Sequence, residues 1–463
     1  MPYPGEFASK AVHAEIVRNP DVTAFLQECD YLKPPSDEEC QAVAAHFVPP
    51  PTSPTAIPSI VIATDGSHHE SSLDDKLPST KVAYIKIGAV LIDLKQFGAL
   101  REGAFVDPFR VAALQNQNAA LTFTMPSANI RWGKYPTVRE SFRAWLDQQF
   151  YSPRTRFTAA DPTTSLRSTL FHLAALRPGE LGTGDPHRLK LHRCPMCGEG
   201  PVEVEDRPDP QHCPACGAEI YPTDCLRLWE EMQEYQSNQV TISRLMLVLE
   251  HLVPFHYIRF LSRRALLSLS EITFFMDGPL AIFGPAAWLH RSFMIFLNEV
   301  NHKLAKHHCA PLLMVGLQKT GQVMDHMTLV ERFVANDRLF AIDDEYRYQY
   351  ILAGREAAHN GFGYETYYGQ DFIYKTPTGR VFVFGLPYPY TSKDEPGIDF
   401  LIEKVRFENY PQLPTALALL NLLESDLYRN AVVPIALAHR YTAISLQPGG
   451  KVLDLLTRKA LKA

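Results

Sequence analysis

Positive charge is scarce in this chain. Across 463 residues, 45 Lys and Arg face 51 Asp and Glu, a formal net charge of −6. Its overall field therefore repels polyanions. Any action on nucleic acid needs a local basic groove, bound cations, or a partner that delivers the strand. Cysteine is also sparse, at eight residues, which excludes a disulfide scaffold. No basic segment followed by an apolar one opens the chain at Met1-Pro2-Tyr3-Pro4, so the expected location is the cytoplasm. The most apolar stretch, Ile272 to Leu297, is interrupted by Asp277, Pro279, Pro285, His290 and Arg291, so it reads as buried strand and helix and no membrane contact is expected. There is no Gly-x-x-x-x-Gly-Lys-Ser/Thr loop, hence no self-powered movement along a substrate. Internal repeats are absent too. What the chain does hold is 46% hydrophobic residues with 36 Pro, 26 Phe and 20 Tyr, the make-up of a large α/β or α+β body with many turns.

The first fifty residues read as helical. Lys10–Arg18 and Asp21–Asp30 are short amphipathic candidates, and Ser36-Asp37-Glu38-Glu39 is a capping box for a helix ending near Phe47. A Pro/Ser/Thr-rich linker follows, so residues 1–58 read as a helical extension. Apolar β-rich runs come next, at Ser59–Thr64 and Val82–Leu94, with a third expected near Ala104–Val106. Together they predict an antiparallel meander. Further on, the periodicity predicts a helix from Asp224 to about Leu252 and another over Phe255–Leu269. Strands are expected at Ile272–Met276 and Pro311–Leu317, separated by the helix Ala287–Lys306. A hairpin over Asp371–Leu386, a helix Leu413–Tyr428, a short apolar run Val432–Ala436 and a last helix near Val452–Leu461 complete the α/β pattern.

Cys194-Pro-Met-Cys197-Gly and Cys213-Pro-Ala-Cys216-Gly are fifteen residues apart. Two such knuckles place four thiolates tetrahedrally, which suits one structural Zn²⁺, and the Gly after each pair permits the tight turn. Residues 186–222 are therefore expected to form an inserted zinc ribbon. His192 and His212 flank it as bystanders. Cys29, Cys40, Cys225 and Cys309 read as buried small hydrophobes.

Two Asp-Gly pairs end predicted strands: Asp65-Gly66 and Asp277-Gly278. Either alone is an ordinary turn. Together they set two carboxylates at the lip of a buried sheet, where open α/β sheets keep their ligands and where Mg²⁺ or Mn²⁺ finds hard oxygen donors.

At this point a family resemblance emerges. Ile60-Val-Ile-Ala-Thr-Asp65-Gly-Ser67 followed by Val82–Val90, then Phe274-Phe-Met-Asp277-Gly-Pro-Leu280, Gly316-Leu-Gln-Lys319-Thr320 and Pro434-Ile-Ala-Leu-Ala-His439 resemble, in order, the motifs of the NurA nuclease domain over roughly residues 59 to 450. The resemblance implies a ribonuclease-H-like mixed sheet flanked by helices across 59–463. It implies a Mn²⁺- or Mg²⁺-dependent DNA nuclease with two ions at its active site, exonucleolytic with a further expectation of endonuclease activity. It also implies a homodimer partnered by a HerA-type hexameric translocating ATPase, in end resection or defence against phage. Carried onto this chain, Asp65 and Asp277 are metal ligands, joined by a helix glutamate. Glu250 is the choice, with Glu230, Glu231 and Glu234 behind it. His439 would orient or deprotonate the attacking water or complete the metal shell, and Lys319 would neutralise phosphate charge. Tyr374 and Lys375 would add contacts to the DNA backbone. His68, His69 and Glu70 lie near Asp65, as metal neighbours or as a polar loop. The rival reading is a non-catalytic NurA-like adaptor docking on the ATPase through its dimer and zinc ribbon, favoured by loss of any of the acidic trio.

Overall fold

Ile60–Thr64 and Ile272–Met276 are distant in sequence, yet they pair side by side and in parallel at the centre of the protein. This computed structural model describes residues 13–29, 34–52, 56–74, 76–99, 101–102, 105–106, 119–352, 360–425, 431–445 and 448–462. The eight strands of the main sheet are β1 (Ile60–Asp74), β2 (Leu77–Asp93), β3 (Ala119–Ala128), β4 (Ile272–Asp277), β5 (Leu313–Gln318), β6 (Arg338–Ala341), β7 (Gly369–Lys375) and β8 (Val381–Pro387). Their order is β6-β7-β8-β5-β4-β1-β2-β3. Within it, the β1–β2–β3 meander is antiparallel while β4 and β5 join β1 in parallel. That is the ribonuclease-H-like arrangement, extended here by the antiparallel β8, β7 and β6.

Alternation along β1 sorts its side chains onto the two faces. Ile62 enters a core built with α1 (Val138–Tyr151), α2 (Leu166–Ala175), α3 (Gln239–Arg264) and α4 (Leu289–Lys306). Val61 and Ala63 enter the opposite core, closed by α5 (Leu413–Leu423) and α6 (Val433–Thr442). The last helix, α7 (Gly449–Lys462), also packs on β1. The capping box at Ser36 is present, with both reciprocal bonds. Its helix, Asp37–Ala44, buries Cys40 and Val43 in a third core beside β6–β8. Among the described residues no helix is long and apolar enough to cross a membrane.

Four expectations need correction. Asp65-Gly66-Ser67 is no turn: β1 runs on through it for 15 residues, paired with β2. The third meander strand is β3; Phe105–Val106 pairs instead with Arg101–Glu102. Pro126 fits in β3 because that strand is the sheet's edge, where a missing N–H costs no ladder bond. Helical structure from Asp224 gives way to short 3₁₀ turns, and α3 then continues through Pro254. Pro254 has no N–H for the carbonyl of Glu250 four residues earlier, which is why the sequence reads as two helices there. Finally, Cys29 and Cys309 are only partly buried, whereas Cys40 and Cys225 are buried.

Candidate active site

Parallel pairing of Thr64 with Met276 sets Asp65, within β1, next to Asp277, the last residue of β4. Both project toward the α6 side, and Asp65 is almost fully buried. One of its oxygens, Oδ2, accepts the Thr442 hydroxyl at 2.9 Å and contacts His439 Nδ1 at 3.0 Å. Asp277 Oδ2 holds the Lys319 ammonium at 2.6 Å. Ligand atoms of Asp65, Asp277 and His439 all lie within 4.8 Å of one another, one of two such groups among the described residues.

Glu250 arrives from the other face. It sits mid-way along α3, buried, and faces Gly66. A Cβ on residue 66 would stand 2.7 Å from Glu250 Oε1, so the glycine of the Asp-Gly pair is there to admit this carboxylate. The Gly66 N–H donates to it. Burial, then the charges of Asp65 and Asp277, hold the Glu250 carboxyl well above the usual carboxylate range, against the pull of Gly66 and Lys319. Burial likewise pushes Asp277 up to about 6; Lys319 opposes this shift and Asp65 adds to it. Such crowding of acids in a desolvated site is relieved by a divalent cation, and the donors present are the hard oxygens and imidazole such ions accept.

The sequence did not reveal Thr442. It lies three residues after His439 on α6, hence on the same helical face. Its hydroxyl position depends on Gly88, which pairs with Asp65 across the sheet: a Cβ there would come within 2.6 Å of Thr442 Cγ2. Lys86 fastens the same turn, donating to the Tyr441 carbonyl at 2.5 Å. Reading Val432–Ala436 as a short run hid this geometry, whereas a helical period through Thr442 reveals it.

The other named residues lie elsewhere. Glu230 pairs with Arg227 and Arg193, Glu231 with Arg244, and Glu234 accepts the Val138 and Arg139 N–H groups. His68 contacts Met246, His69 pairs with Asp454, and Glu70 with Lys81. Tyr374 is buried with its hydroxyl against Asp337 and Asn421, and the Lys375 ammonium donates to the Glu331 and Val334 carbonyls. These two are committed to internal bonds.

The four paired cysteines form the second group. Cys194 and Cys216 stand 3.8 Å apart at sulfur, as do Cys197 and Cys213. A tetrahedron with metal–sulfur bonds of about 2.3 Å has edges of about 3.8 Å. Gly198 and Gly217 close matching turns at φ 80° and 73°, each donating to the carbonyl of the first cysteine of its pair. His192 and His212 are outside the group. The module is fused to the body: Leu189, Leu191, Val202, Val204 and Ile220 share the α1–α4 core, and just beyond it Arg143 of α1 forms a buried ion pair with Asp224 at 2.7 Å.

A family model, the NurA domain, matches residues 59–444. Among solved structures, the chain is similar to the NurA nuclease from Sulfolobus solfataricus, with 10% identity, 98% of each chain covered and a TM-score of 0.32. It is also similar to a second structure described as NurA, with 9% identity, 97% of each chain covered and a TM-score of 0.28. No curated protein matches.

Proposed function

This chain belongs to the NurA domain family, and from that premise we propose that it is a divalent-metal-dependent DNA nuclease. The convergence of Asp65, Asp277 and His439 within 4.8 Å carries the reading. Glu250 supports it: the adaptor alternative depended on an incomplete acidic trio, and a third carboxylate stands behind Gly66. Asp65, Asp277 and Glu250 would hold two Mn²⁺ or Mg²⁺ ions, which when bound polarise the scissile phosphate and activate water. His439, bonded through Nδ1 to Asp65, keeps Nε2 to take the proton of the attacking water. Lys319, drawn from Asp277, offsets charge growing on the phosphate. Thr442 and His439 together engage Asp65 Oδ2 and leave Oδ1 for a cation. The Cys₄ group holds one structural Zn²⁺ in the segment 186–222. The family resemblance implies a homodimer to which a HerA-type ATPase delivers DNA ends, in cytoplasmic end resection or phage defence, and a net charge of −6 with no nucleotide-binding loop suits an external motor.

The test is digestion of linear DNA with Mn²⁺ or Mg²⁺, alone and with a HerA-type ATPase, beside Asp65→Ala. Wild type is expected to degrade DNA, to stop in EDTA, and to exceed the variant by at least about a thousandfold. Equal digestion by both, or none by either in all conditions, ends the enzyme reading. Thr442→Val is expected to raise the Mn²⁺ concentration for half-maximal cleavage by about tenfold, as loss of an outer partner of a metal ligand does. Thr442→Ser should restore it. An unchanged metal titration for the valine variant would remove Thr442 from this role.

A further inference from the structure

The last helix, α7, sits on the sheet inside out. Its polar side faces β1 and β2: Asp454 accepts the Ser71 hydroxyl at 2.7 Å and pairs with His69 at 2.9 Å, and Thr457 shares a 2.7 Å hydrogen bond with Tyr84. Val452, Leu455 and Leu456 lie on the other side of the helix and are exposed, Leu455 by 66%. Near the other terminus, the helices Ala14–Arg18 and Pro20–Glu28 bury none of their residues. They expose Ile16, Val17, Phe25 and Leu26, Phe25 also by 66%. Helices of five and nine residues are marginal in water and are held by packing. Both terminal segments therefore present apolar surface of the kind that a partner covers. We infer that the partner is a second copy of this chain, and that the N-terminal helices of each copy lie on α7 of the other. The inference gives a contact to the homodimer of the reading above and rests on that dimer. Both segments lie outside residues 59–444, the span of the family match.

Charge selects this pairing. The two N-terminal helices carry exposed Glu15, Asp21 and Glu28 against the single Arg18. On α7, Lys451 and Lys459 are exposed, while its one acid, Asp454, is taken by His69 and Ser71. An α7–α7 contact brings lysines together, and a contact between two N-terminal pairs brings carboxylates together. The crossed contact alone sets opposite charges around the apolar surfaces. Val22, Phe25 and Leu26 stand at i, i+3 and i+4, one stripe able to lie along Val452, Leu455 and Leu456.

Topology places the contact between copies. After the N-terminal helices the chain roots at the far edge of the sheet. There Cys40 and Val43 share a core with Phe340, Ile373 and Val383, and Val48 bridges Leu339 of β6. Those three strand residues alternate with Leu339, Phe372 and Phe384 of the α6 core, so this root is on the opposite face. His69 and Ser71, which hold α7, keep step with Asp65 along β1 and so face the α6 side. Between β1 and β6 lie five strand spacings, about 24 Å. The two patches of one chain are thus on different faces and far apart, whereas a two-fold axis makes both crossed contacts at once.

The mass of the full chain in solution, by sedimentation equilibrium, tests this without any DNA cleavage. The parent is expected to be a dimer. Phe25→Asp and Leu455→Asp should each raise its dissociation constant by about a hundredfold, since each sets a charge in the apolar contact. Both positions are exposed in the single chain, so the far-ultraviolet circular dichroism of the variants should match the parent's. An equal mixture of the two variants should dimerise more tightly than either alone, because one of its two contacts is then made by unchanged surfaces. A folding defect gives no such rescue. Zero-length crosslinking of mixed light and heavy-isotope chains should join Glu15, Asp21 or Glu28 to Lys451 or Lys459 in mixed-isotope pairs. Variants that dimerise as tightly as the parent overturn the contact and leave the dimer. No gain on mixing overturns it too, as do unchanged dimers in a Leu455→Asp variant that has lost binding to anionic phospholipid vesicles. A parent that stays monomeric removes the dimer and the contact together.

Discussion

Glu250→Gln is expected to give a protein that, without metal at pH 8, melts above the parent yet cleaves DNA about a thousandfold more slowly. The two effects share one cause. Glu250 is buried beside Asp65 and Asp277, and its carboxyl is held well above its ordinary range. The folded state therefore keeps a proton that the unfolded chain gives up, and metal-free stability falls as pH rises above the ordinary carboxylate range. Asp277 behaves alike, its contribution fading between about pH 4 and about pH 6. Glutamine cannot ionise, so it removes the Glu250 part of that loss while keeping the shape. On the proposed metal-dependent mechanism it also removes one of the charges that would hold the ions, and a loss of several kcal/mol of transition-state stabilisation is expected. Melting curves at pH 5 and pH 8, with and without Mn²⁺, check this. The parent should gain more from Mn²⁺ at pH 8 than at pH 5, and the variant should gain little at either. A variant that melts lower than the parent at pH 8, or that cleaves at the parent's rate, contradicts the account.

The second large effect concerns the cysteine cluster. Cys197→Ser is expected to lose one zinc per chain and to melt roughly 10 °C or more below the parent. Cys197 is exposed, so its replacement disturbs little packing, and the loss reports metal. Cys194 and Cys213 belong to the α1–α4 core, with Leu189 and Val204. Loosening the knuckles therefore loosens that core. Metal content by atomic emission and calorimetry decide the point. A parent chain free of zinc, or a variant of unchanged melting temperature, refutes it.

How much of this was legible depends on what each residue advertises. Asp65 and Asp277 end uniform apolar runs, and such runs are buried strands whatever the tertiary context. Their adjacency followed once both were assigned to one sheet. Glu250 was legible as a helix carboxylate, but its depth was not, because its partner is the missing side chain of Gly66. Asp-Gly is a strong turn signal, and only the pairing of β1 with β2 shows that the strand continues. Pro254 hid the continuity of α3. Tyr374 and Lys375 alternate like a half-exposed strand, yet β7 is covered on both faces, and the lysine's charge is spent on helix-end carbonyls. Thr442 carries no motif and matters only through its distance from Asp65.

The four elements that furnish the acids, the imidazole and the hydroxyl begin at residues 60, 239, 272 and 433. During synthesis the first three emerge well before the last, and domains fold as they appear. A product stalled before residue 433 carries the paired aspartates but neither His439 nor Thr442. Such a fragment is expected to leave linear DNA uncut, which a truncation before residue 433 assayed beside the longer chain checks.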